Sequence, residues 1–435
     1  MKKLVKTGMT PLPIATVAAI LSLSLVVNLP GLAVSPMLEK ISDIFPDSSE
    51  LEVQLLTLLP NLLIIPFVLL SGTFSVSRHK YAIIITGLVI FTASAIAYLF
   101  ATSMAGLIIP SCTLGAGAGI LVPFSTGLIA DNFSGPYCMR EMGLQSGIAN
   151  LTLVVATFIV GWLQHANWHL PFVVYFVVLI PLVFAPWLRT VTKRPASSAA
   201  GDDSNPDKPV TVTYPDDVCP SNFRKNGFSY GRLAGICSLY FMVTSLTIVI
   251  SYYSPFLVNH RGWGESITGT VTALFFLFIF IPGFFLNPIL KFLKNRTIHV
   301  CLAIIAAGLA LYVFCPTRFT LCLGAMLCGF GYGVIQPVMY DKATRTVNQP
   351  SRATLSLSIL LAANYIAIVI TPFFIDEVMR CMHLQSDFRF PFMFNLVLSV
   401  IVLVTALLFR RRFALYISPA LYGEAAGPES SDCSK

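Results

Sequence analysis

The stretch Gly115-Ala-Gly-Ala-Gly-Ile-Leu-Val-Pro123 returns as Gly329-Phe-Gly-Tyr-Gly-Val-Ile-Gln-Pro337, with three glycines and one proline at matching positions. The two copies are 214 residues apart, and the same offset places Asn150 on Asn364. Glycines at alternate positions let neighbouring helices approach closely, whereas a proline weakens a helix where it must bend. One half of the chain therefore repeats the other. The residues predicted for helix packing and bending are Gly115, Gly117, Gly119, Pro123, Gly329, Gly331, Gly333 and Pro337.

The composition of the 435-residue chain is that of a membrane protein. Hydrophobic residues make up 56% and charged residues only 11%, whereas about a quarter of the residues in a soluble domain are charged. The ten cysteines occur without CxxC pairs or His/Cys clusters at metal spacing. Phosphate-binding loops and the common hydrolase motifs are also absent from the sequence. We therefore predict no cofactor, no metal site, no nucleic-acid partner and no enzymatic activity.

Charge-free stretches long enough to cross a bilayer, which takes about 20 residues, occur twelve times. The first six lie within Thr7–Leu38, Val53–Ser77, Tyr81–Ala130 (two) and Met142–Leu188 (two), and the others are Leu233–Asn259, Ser266–Leu290, Thr297–Thr317, Phe319–Tyr340, Ala353–Ile375 and Phe390–Phe409. We number them spans 1 to 12. They predict an all-α integral membrane protein of twelve transmembrane helices, arranged as two pseudo-symmetric six-helix bundles. The predicted domains are the bundles 1–188 and 233–412, a polar cytoplasmic linker 189–232 and a cytoplasmic tail 413–435.

The distribution of Lys and Arg orients the predicted helices. With the N-terminus inside, 23 of the 28 Lys and Arg residues fall on one side of the membrane. The remaining five are Lys40, Arg261, Arg318, Arg380 and Arg389. The positive-inside rule then predicts that both termini are cytoplasmic. The expected location is the plasma membrane, which is the inner membrane in a Gram-negative bacterium, with lipid as a partner and the protein as a monomer.

Two loop segments and the six-plus-six pattern together resemble the major facilitator superfamily of secondary transporters. The segment Gly72-Thr-Phe-Ser-Val-Ser-Arg-His-Lys80 follows span 2, and Trp168-His-Leu-Pro-Phe172 begins span 6. In that family the first loop usually reads Gly-x-Leu-Ala-Asp-Arg-x-Gly-Arg-Arg, so the glycine and the basic end are kept while Val76 replaces the Asp. The Gly-Pro-x-x-Gly-Gly run of many of its antiporters is missing from span 5. The resemblance implies two bundles that rock about a central site, and it assigns no subgroup.

Polar side chains lie along one face of several spans, as an aqueous path requires, because polar groups turned to lipid are costly. In the resembled family, spans 1, 4, 7 and 10 line the cavity, and spans 2, 5, 8 and 11 form the moving contact between the halves. The predicted substrate-cavity residues are Ser24, Asn28, Gln145, Asn150, Tyr240, Thr244, Tyr252, Tyr332, Gln336, Tyr340 and Asn364. The alternative is that these groups bond to their own helix or join one helix to another. Asn28 lies just before Pro30-Gly31, where span 1 is expected to break.

Charged residues fall at the ends of the spans and not at their centres. The candidates for gating or coupling are Arg78, Asp131, Arg140, Glu141, Asp341 and Arg345. By analogy with the family's cytoplasmic gate, Asp131 is expected to pair with Arg78 or Arg140 when the transporter faces outward. If protons drive transport, Asp341 is the first candidate, because a bend at Pro337 would move it between pairing with Arg345 and exposure to water. The alternatives are solvated loop charges and uncoupled downhill facilitation.

These features predict a secondary transporter for a small organic solute, with protons as a candidate coupling ion. A cavity of Asn, Gln, Ser, Thr and Tyr suits a neutral or zwitterionic molecule, or a hydrophobic one stacked on tyrosines. The alternatives are a drug efflux antiporter of the same superfamily and a transporter-like sensor that binds a solute without moving it. Uptake and efflux are both compatible with the sequence.

Overall fold

The computed structural model describes residues 4–32, 37–46, 48, 50–75, 79–163, 166–192, 228–263, 265–315, 317–348, 352–384, 387–409 and 412–417. Within these residues, eleven helical stretches are long and apolar enough to cross a membrane, and one of them, Ile267–Phe314, contains two helices. The stretches therefore supply the twelve crossings that the sequence predicts. The predicted fold of membrane-spanning helices is confirmed, and the described residues add one short β-hairpin.

The N-terminal half begins with a short hairpin, in which Leu4–Val5 pairs with Leu12–Pro13. Span 1 consists of a helix Ile14–Ser22, a 3-10 turn Leu23–Val26 and a short helix Leu29–Leu32. A helix Leu38–Ile44 precedes span 2. Spans 2 to 5 are Glu50–Phe74, Lys80–Leu99, Met104–Asn132 and Gly135–Leu163, and span 6 consists of a 3-10 helix Leu170–Val178 followed by Leu179–Thr192.

The C-terminal half repeats this order, with its first span formed by one long helix. Spans 7 to 12 are Tyr230–His260, Glu265–Leu293, Thr297–Phe314, Arg318–Thr344, Ala353–Cys381 and Phe390–Leu408. A 3-10 turn, Lys294–Arg296, joins spans 8 and 9.

Helix irregularities occur at different places from those expected. Span 1 leaves the α-helix at Leu23–Val26, ahead of Pro30. Spans 4 and 10 continue through Pro123 and Pro337 as unbroken helices. A helix can continue through proline when neighbouring helices hold it in place. Inside span 8, by contrast, Phe285 has non-helical dihedrals.

Both ends of the described chain lie on the same face of the helix bundle. The Thr7 carbonyl accepts a hydrogen bond of 3.0 Å from the backbone N–H of Ser134, in the turn between spans 4 and 5. Near the other end, the Ile417 N–H donates to Asn295 Oδ1 at 2.9 Å, in the turn between spans 8 and 9. We call this side the terminal face and the opposite side the distal face.

The first glycine and the third glycine of each copy pack against an equivalent neighbouring helix. A Cβ atom added at Gly115 would lie 2.6 Å from the carbonyl oxygen of Pro60 on span 2. A Cβ added at Gly333 would lie 2.5 Å from the carbonyl oxygen of Ile279 on span 8. Span 4 therefore packs on span 2 as span 10 packs on span 8, with backbone against backbone.

The middle glycine of each copy extends the repeat to a third pair of helices. Gly117 faces Phe91 on span 3, and Gly331 faces Ile305 on span 9. Phe91 and Ile305 are themselves 214 residues apart, like the glycines. The sequence repeat is thus a repeat of packing.

Large apolar side chains cover the outside of the bundle. Trp162, Phe158 and Phe292 are 77%, 65% and 87% exposed. A soluble protein rarely leaves such a surface in contact with water. The outer surface is therefore suited to lipid.

We expect leucine at Gly115 or Gly329 to destabilise the protein by similar amounts in either half. Each side chain would enter a space occupied by the backbone of the neighbouring helix, and such overpacking costs about 1–3 kcal/mol or more. The measurement is the yield of monodisperse protein and the midpoint of thermal unfolding. Gly235→Leu on span 7 is the matched control, because nothing lies within 4 Å of an added Cβ there. An equal loss in the control would contradict the packing explanation.

Candidate functional site

A series of hydrogen bonds between uncharged side chains begins in the N-terminal half. Asn28, just after the 3-10 turn of span 1, donates through Nδ2 to Asn150 Oδ1 on span 5 at 3.3 Å. Asn150 donates in turn to the Ser146 carbonyl, one helical turn earlier, at 2.8 Å. The paired amides hold the irregular part of span 1 against span 5.

The series crosses into the C-terminal half at Ser146. Its hydroxyl donates to Gln336 Oε1 on span 10 at 2.5 Å, and Gln336 Nε2 donates to the Tyr340 hydroxyl at 2.8 Å. These three side chains are buried. A second bond crosses nearby, from the Tyr365 hydroxyl on span 11 to the Val27 carbonyl at 3.3 Å. The two halves would have to break these bonds to separate here.

In the C-terminal half the bonds converge on Asn364. Its Oδ1 accepts from the Thr244 hydroxyl at 2.7 Å and from the Tyr332 hydroxyl at 3.2 Å. The Tyr240 hydroxyl lies 3.2 Å from that of Tyr332 and 3.4 Å from that of Tyr340. The bonds therefore connect Asn28 on span 1 with Thr244 on span 7, and at Ser146 the connection passes from its backbone carbonyl to its hydroxyl. We call this set of side chains the central network.

The central network follows the internal repeat. Asn150 and Asn364 are 214 residues apart, and each bonds to the first span of its own half. Eight predicted cavity residues come together here, namely Asn28, Asn150, Tyr240, Thr244, Tyr332, Gln336, Tyr340 and Asn364.

The other three predicted cavity residues lie outside the central network. Ser24 is buried in the 3-10 turn of span 1, and its Oγ has no hydrogen-bond partner among the described residues. Gln145 is buried and donates to Ser125 Oγ on span 4 at 3.3 Å. Tyr252 is half-buried. Its neighbour Tyr253 donates to Asp376 at 2.7 Å, a carboxylate one residue beyond the predicted end of span 11.

The central network contains no ionised side chain, and its polar groups bond to one another. A buried donor or acceptor that loses its partner costs about 1–3 kcal/mol. A solute that enters must therefore offer donors and acceptors that replace the bonds it breaks. The arrangement favours a molecule rich in hydroxyl or amide groups over an ion.

The ion pairs Lys80–Asp131 and Arg345–Asp341 lie at the terminal face. The ammonium of Lys80, at the start of span 3, lies 2.6 Å from Asp131 Oδ2 at the end of span 4. Asp131 therefore pairs with Lys80 and not with the expected Arg140, whose side chain is exposed. The other expected partner, Arg78, lies outside the described residues. Lys80 directly begins span 3, so its side chain can reach back to the end of span 4. On span 10, Arg345 Nε lies 2.8 Å from Asp341 Oδ2 across one helical turn.

We expect Lys80→Met and Asp131→Asn each to destabilise the protein at the terminal face, because each leaves one charge of the pair without its partner. The lysine replacement leaves a carboxylate with only 14% side-chain exposure unpaired, and losing one partner of a largely buried pair costs about 3–5 kcal/mol. The double variant should recover most of the loss, because neither charge remains. Thermal unfolding of the four proteins measures this cycle. Additive losses would show that the pair is not coupled.

The sequence prediction missed two polar residues that the structure connects. Ser146 directly follows the predicted Gln145 but was not itself selected, and its partner Gln336 is 190 positions away. Lys342 follows the predicted end of span 10, yet it is buried and donates to the carbonyls of Phe413 and Tyr416 at 2.6 and 2.5 Å. The only feature of the sequence that could have indicated a buried role for Lys342 is its position two residues after the polar face of span 10. Neither partner can be read from periodicity.

The two halves touch most closely towards the terminal face. Spans 5 and 8 pack together, as do spans 2 and 11. A Cβ added at Gly143 on span 5 would lie 2.7 Å from the Gly283 carbonyl oxygen on span 8, and one added at Gly283 would lie closer still to the Gly143 carbonyl oxygen. Gly72 on span 2 likewise contacts Ser358 on span 11. These are the four spans that the family resemblance assigns to the moving contact.

Comparison with known families gives one match over nearly the whole chain. A family model described as Major Facilitator Superfamily matches residues 14–372 and 235–420. Among curated proteins, no significant match is found.

Several solved structures are similar to this chain in fold. The human organic anion transporter MFSD10 (TETRAN) has 15% sequence identity and a TM-score of 0.67, with 90% of this chain and 99% of that chain covered. The transporter FucP, in the outward conformation, has 14% identity and a TM-score of 0.64, with 92% and 99% covered. The proton:xylose symporter XylE, bound to 6-bromo-6-deoxy-D-glucose, has 14% identity and a TM-score of 0.63, with 91% and 95% covered. At these identities the likeness is one of fold.

Proposed function

The chain belongs to the Major Facilitator Superfamily and is a multi-pass membrane transporter, not an enzyme, and we propose that it moves a small organic solute without net charge. The movement would occur by alternating access. The solute site would be the central network, between the two repeated halves. The observation that carries the proposal is the series of hydrogen bonds that connects Asn28 with Thr244 and crosses the halves between Ser146 and Gln336.

The moving bodies in this proposal are residues 1–188 and 233–412, joined by the linker 189–232, most of which lies outside the described residues. The close contacts of spans 5 and 8 and of spans 2 and 11 would form on one side of the membrane and separate in the other state. The bond between Ser146 and Gln336 would break in that step. Its two partners would then be available to the solute.

We propose that the terminal face lies in the cytoplasm. Both ends of the described chain and most of the Lys and Arg residues lie on that side. Excess positive charge in short loops marks the cytoplasmic side of a membrane protein. Both termini would then be cytoplasmic, in the plasma membrane.

The solute class that suits the central network is a neutral molecule with several hydroxyl or amide groups. Asn150, Asn364 and Gln336 can each donate and accept, so they can bond to hydroxyl groups in either sense. XylE, which is similar in fold, holds a sugar derivative in its structure. MFSD10, also similar in fold, is an organic anion transporter, but the central network offers no cation to an anionic solute.

A thermal-shift screen followed by flux measurement tests the proposal. Sugars, nucleosides, zwitterionic amino acids, organic anions and amphipathic drugs would be added in turn to the purified protein. We expect stabilisation by a member of the neutral or zwitterionic group, and movement of that compound into proteoliposomes. Tight binding without flux would favour a solute sensor, and stabilisation by anions alone would overturn the proposed solute class.

A further inference from the structure

Two buried oxygen atoms on one face of span 5 lack a hydrogen-bond donor. Glu141 is 4% exposed and Gln145 is 2% exposed. Within the described part of the chain, neither Glu141 Oε2 nor Gln145 Oε1 has a hydrogen-bond partner. Buried acceptors without partners are rare in folded proteins, so two on adjacent turns require an explanation.

The orientation of the Gln145 amide follows from its neighbour on span 4. The Ser125 hydroxyl donates its hydrogen to the Val122 carbonyl at 2.7 Å. Ser125 Oγ can therefore only accept from Gln145, so the amide nitrogen must face it at 3.3 Å. The amide oxygen then points away from Ser125, and rotating the amide by half a turn would not supply its missing donor.

Glu141 and Gln145 are four residues apart on the same helix. Side chains at this spacing are neighbours, with Cβ atoms about 5–6 Å apart. An ionised carboxylate and an amide oxygen in such positions are two acceptors that repel each other. One proton on Glu141 would convert one of its oxygens into an O–H donor, and that donor can bond to Gln145 Oε1. A single proton would satisfy both atoms.

The described cations on the elements packed against span 5 do not pair with the Glu141 carboxylate. Lys80 pairs with Asp131 on span 4, and Arg345 pairs with Asp341 on span 10. Arg140, whose charge acts on Glu141, is exposed to solvent. The other charged groups on these elements are the Lys342 ammonium held by two carbonyls, the exposed Lys291 and Arg189, and Glu265 and Arg318 at the distal ends of spans 8 and 10. Their remaining titratable groups are the thiols and phenols of Cys112, Tyr137, Cys138, Tyr175, Cys322, Cys328, Tyr332 and Tyr340.

The location of this pair connects it to the movement of the halves. Gly143, between the two residues, makes the close backbone contact with Gly283 on span 8. Asp341 and Arg345 on span 10 are near enough for their charges to act on Cys138, one turn before Glu141. When the halves separate at the terminal face, water can reach this surface of span 5.

We propose that Glu141 and Gln145 form a proton-binding site, occupied while the terminal face is closed and emptied when it opens. On opening, the O–H bond of the Glu141 acid breaks, the proton passes to water, and the carboxylate remains. This deepens the proposed function, on which the link to movement rests. The prediction for Asp341 stands beside this one: its pair with Arg345 is one of the two states expected for it, whereas Glu141 Oε2 has no partner among the described residues.

Infrared spectroscopy of the full-length protein in lipid tests the site without any solute. A neutral carboxylic acid has a carbonyl stretch that an ionised carboxylate lacks. We expect this band in the wild type at neutral pH, its loss in Glu141→Gln, and its persistence in the matched control Asp341→Asn. In Gln145→Leu, the Glu141 acid loses its hydrogen-bond acceptor. The carbonyl band should then reach half of its full intensity only at a roughly tenfold higher proton concentration, which corresponds to a loss of about 1.4 kcal/mol in proton binding.

Absence of the band in the wild type, or its persistence in Glu141→Gln, would overturn the proposal. Replacing K⁺ by Na⁺ in the buffer should leave the band unchanged, whereas its loss in Na⁺ alone would assign the site to a metal cation. A failure of the transport proposal gives a different result. The carbonyl band would remain, and no solute flux would be measured in the wild type or in any variant.

Discussion

Replacing Gly283 by leucine is expected to shift the protein towards the state in which the terminal face is open. The new side chain would meet the backbone of Gly143 on the other half of the protein, where two glycines now let spans 5 and 8 touch. Overpacking of this kind costs about 1–3 kcal/mol. In the proposed mechanism the contact exists only while the halves are closed there, so the penalty would fall on the closed state and favour the open one.

The native Cys138 provides the measurement for this prediction. It is buried at the terminal end of span 5, so its reaction with a maleimide should track the open fraction. In a variant that keeps only this cysteine of the ten, Gly283→Leu should raise the labelling rate by about 5- to 150-fold, the equivalent of 1–3 kcal/mol. Gly269→Leu on the same helix is the control, since nothing lies within 4 Å of an added Cβ there. Equal labelling in both variants would refute the assignment of this contact to a gate.

Replacing Gln336 by leucine is expected to reduce solute flux at least about tenfold. The exchange keeps the volume similar but removes the acceptor of Ser146 and the donor to Tyr340. Each buried group left without a partner costs about 1–3 kcal/mol, and the solute loses an amide with which to bond. Flux in proteoliposomes, with the solute found by the thermal-shift screen, measures the effect.

Asn395 on span 12 supplies a matched control for this second exchange. It is also a buried amide, but its nitrogen donates to the Pro391 carbonyl of its own helix at 2.8 Å. Asn395→Leu should keep flux close to the wild-type level once folding is verified. If both variants lost flux equally, the effect would reflect the loss of any buried amide, and the central network would have no special role.

Much of the fold follows from the sequence, because crossing a bilayer imposes strong local rules. About 20 apolar residues per crossing and an internal offset of 214 residues were enough to predict twelve spans and a parallel repeat. The offset reappears in packing, where Gly117 meets Phe91 and Gly331 meets Ile305. The kink at Phe285 was not predicted. It lies between two prolines of span 8, and the sequence does not show at which residue the helix departs from helical dihedrals.

The candidate site could be predicted only in part, for a different physical reason. Periodicity shows which residues share a helical face, and it therefore selected Tyr332, Gln336 and Tyr340 on span 10. It does not show which helix faces that stripe, so Ser146 was missed although its hydroxyl bonds to Gln336. Pairing at the helix ends depends on how far long side chains extend, which periodicity does not show. Lys80 therefore lies beside Asp131, where Arg140 was expected. The roles of these residues in transport stay predictions.

The most direct test of the central claim, that the two halves rock about the central network, is a pair of distances measured by spin-label spectroscopy. One label pair would replace the exposed Arg140 and Lys291 at the terminal ends of spans 5 and 8, and the other would replace Trp162 and Gly269 at the distal ends of the same spans. Between the wild type and Gly283→Leu, rocking predicts that the terminal distance lengthens while the distal distance shortens. A longer terminal distance with an unchanged distal distance would instead show local disruption of one contact, and it would contradict alternating access by these two bodies.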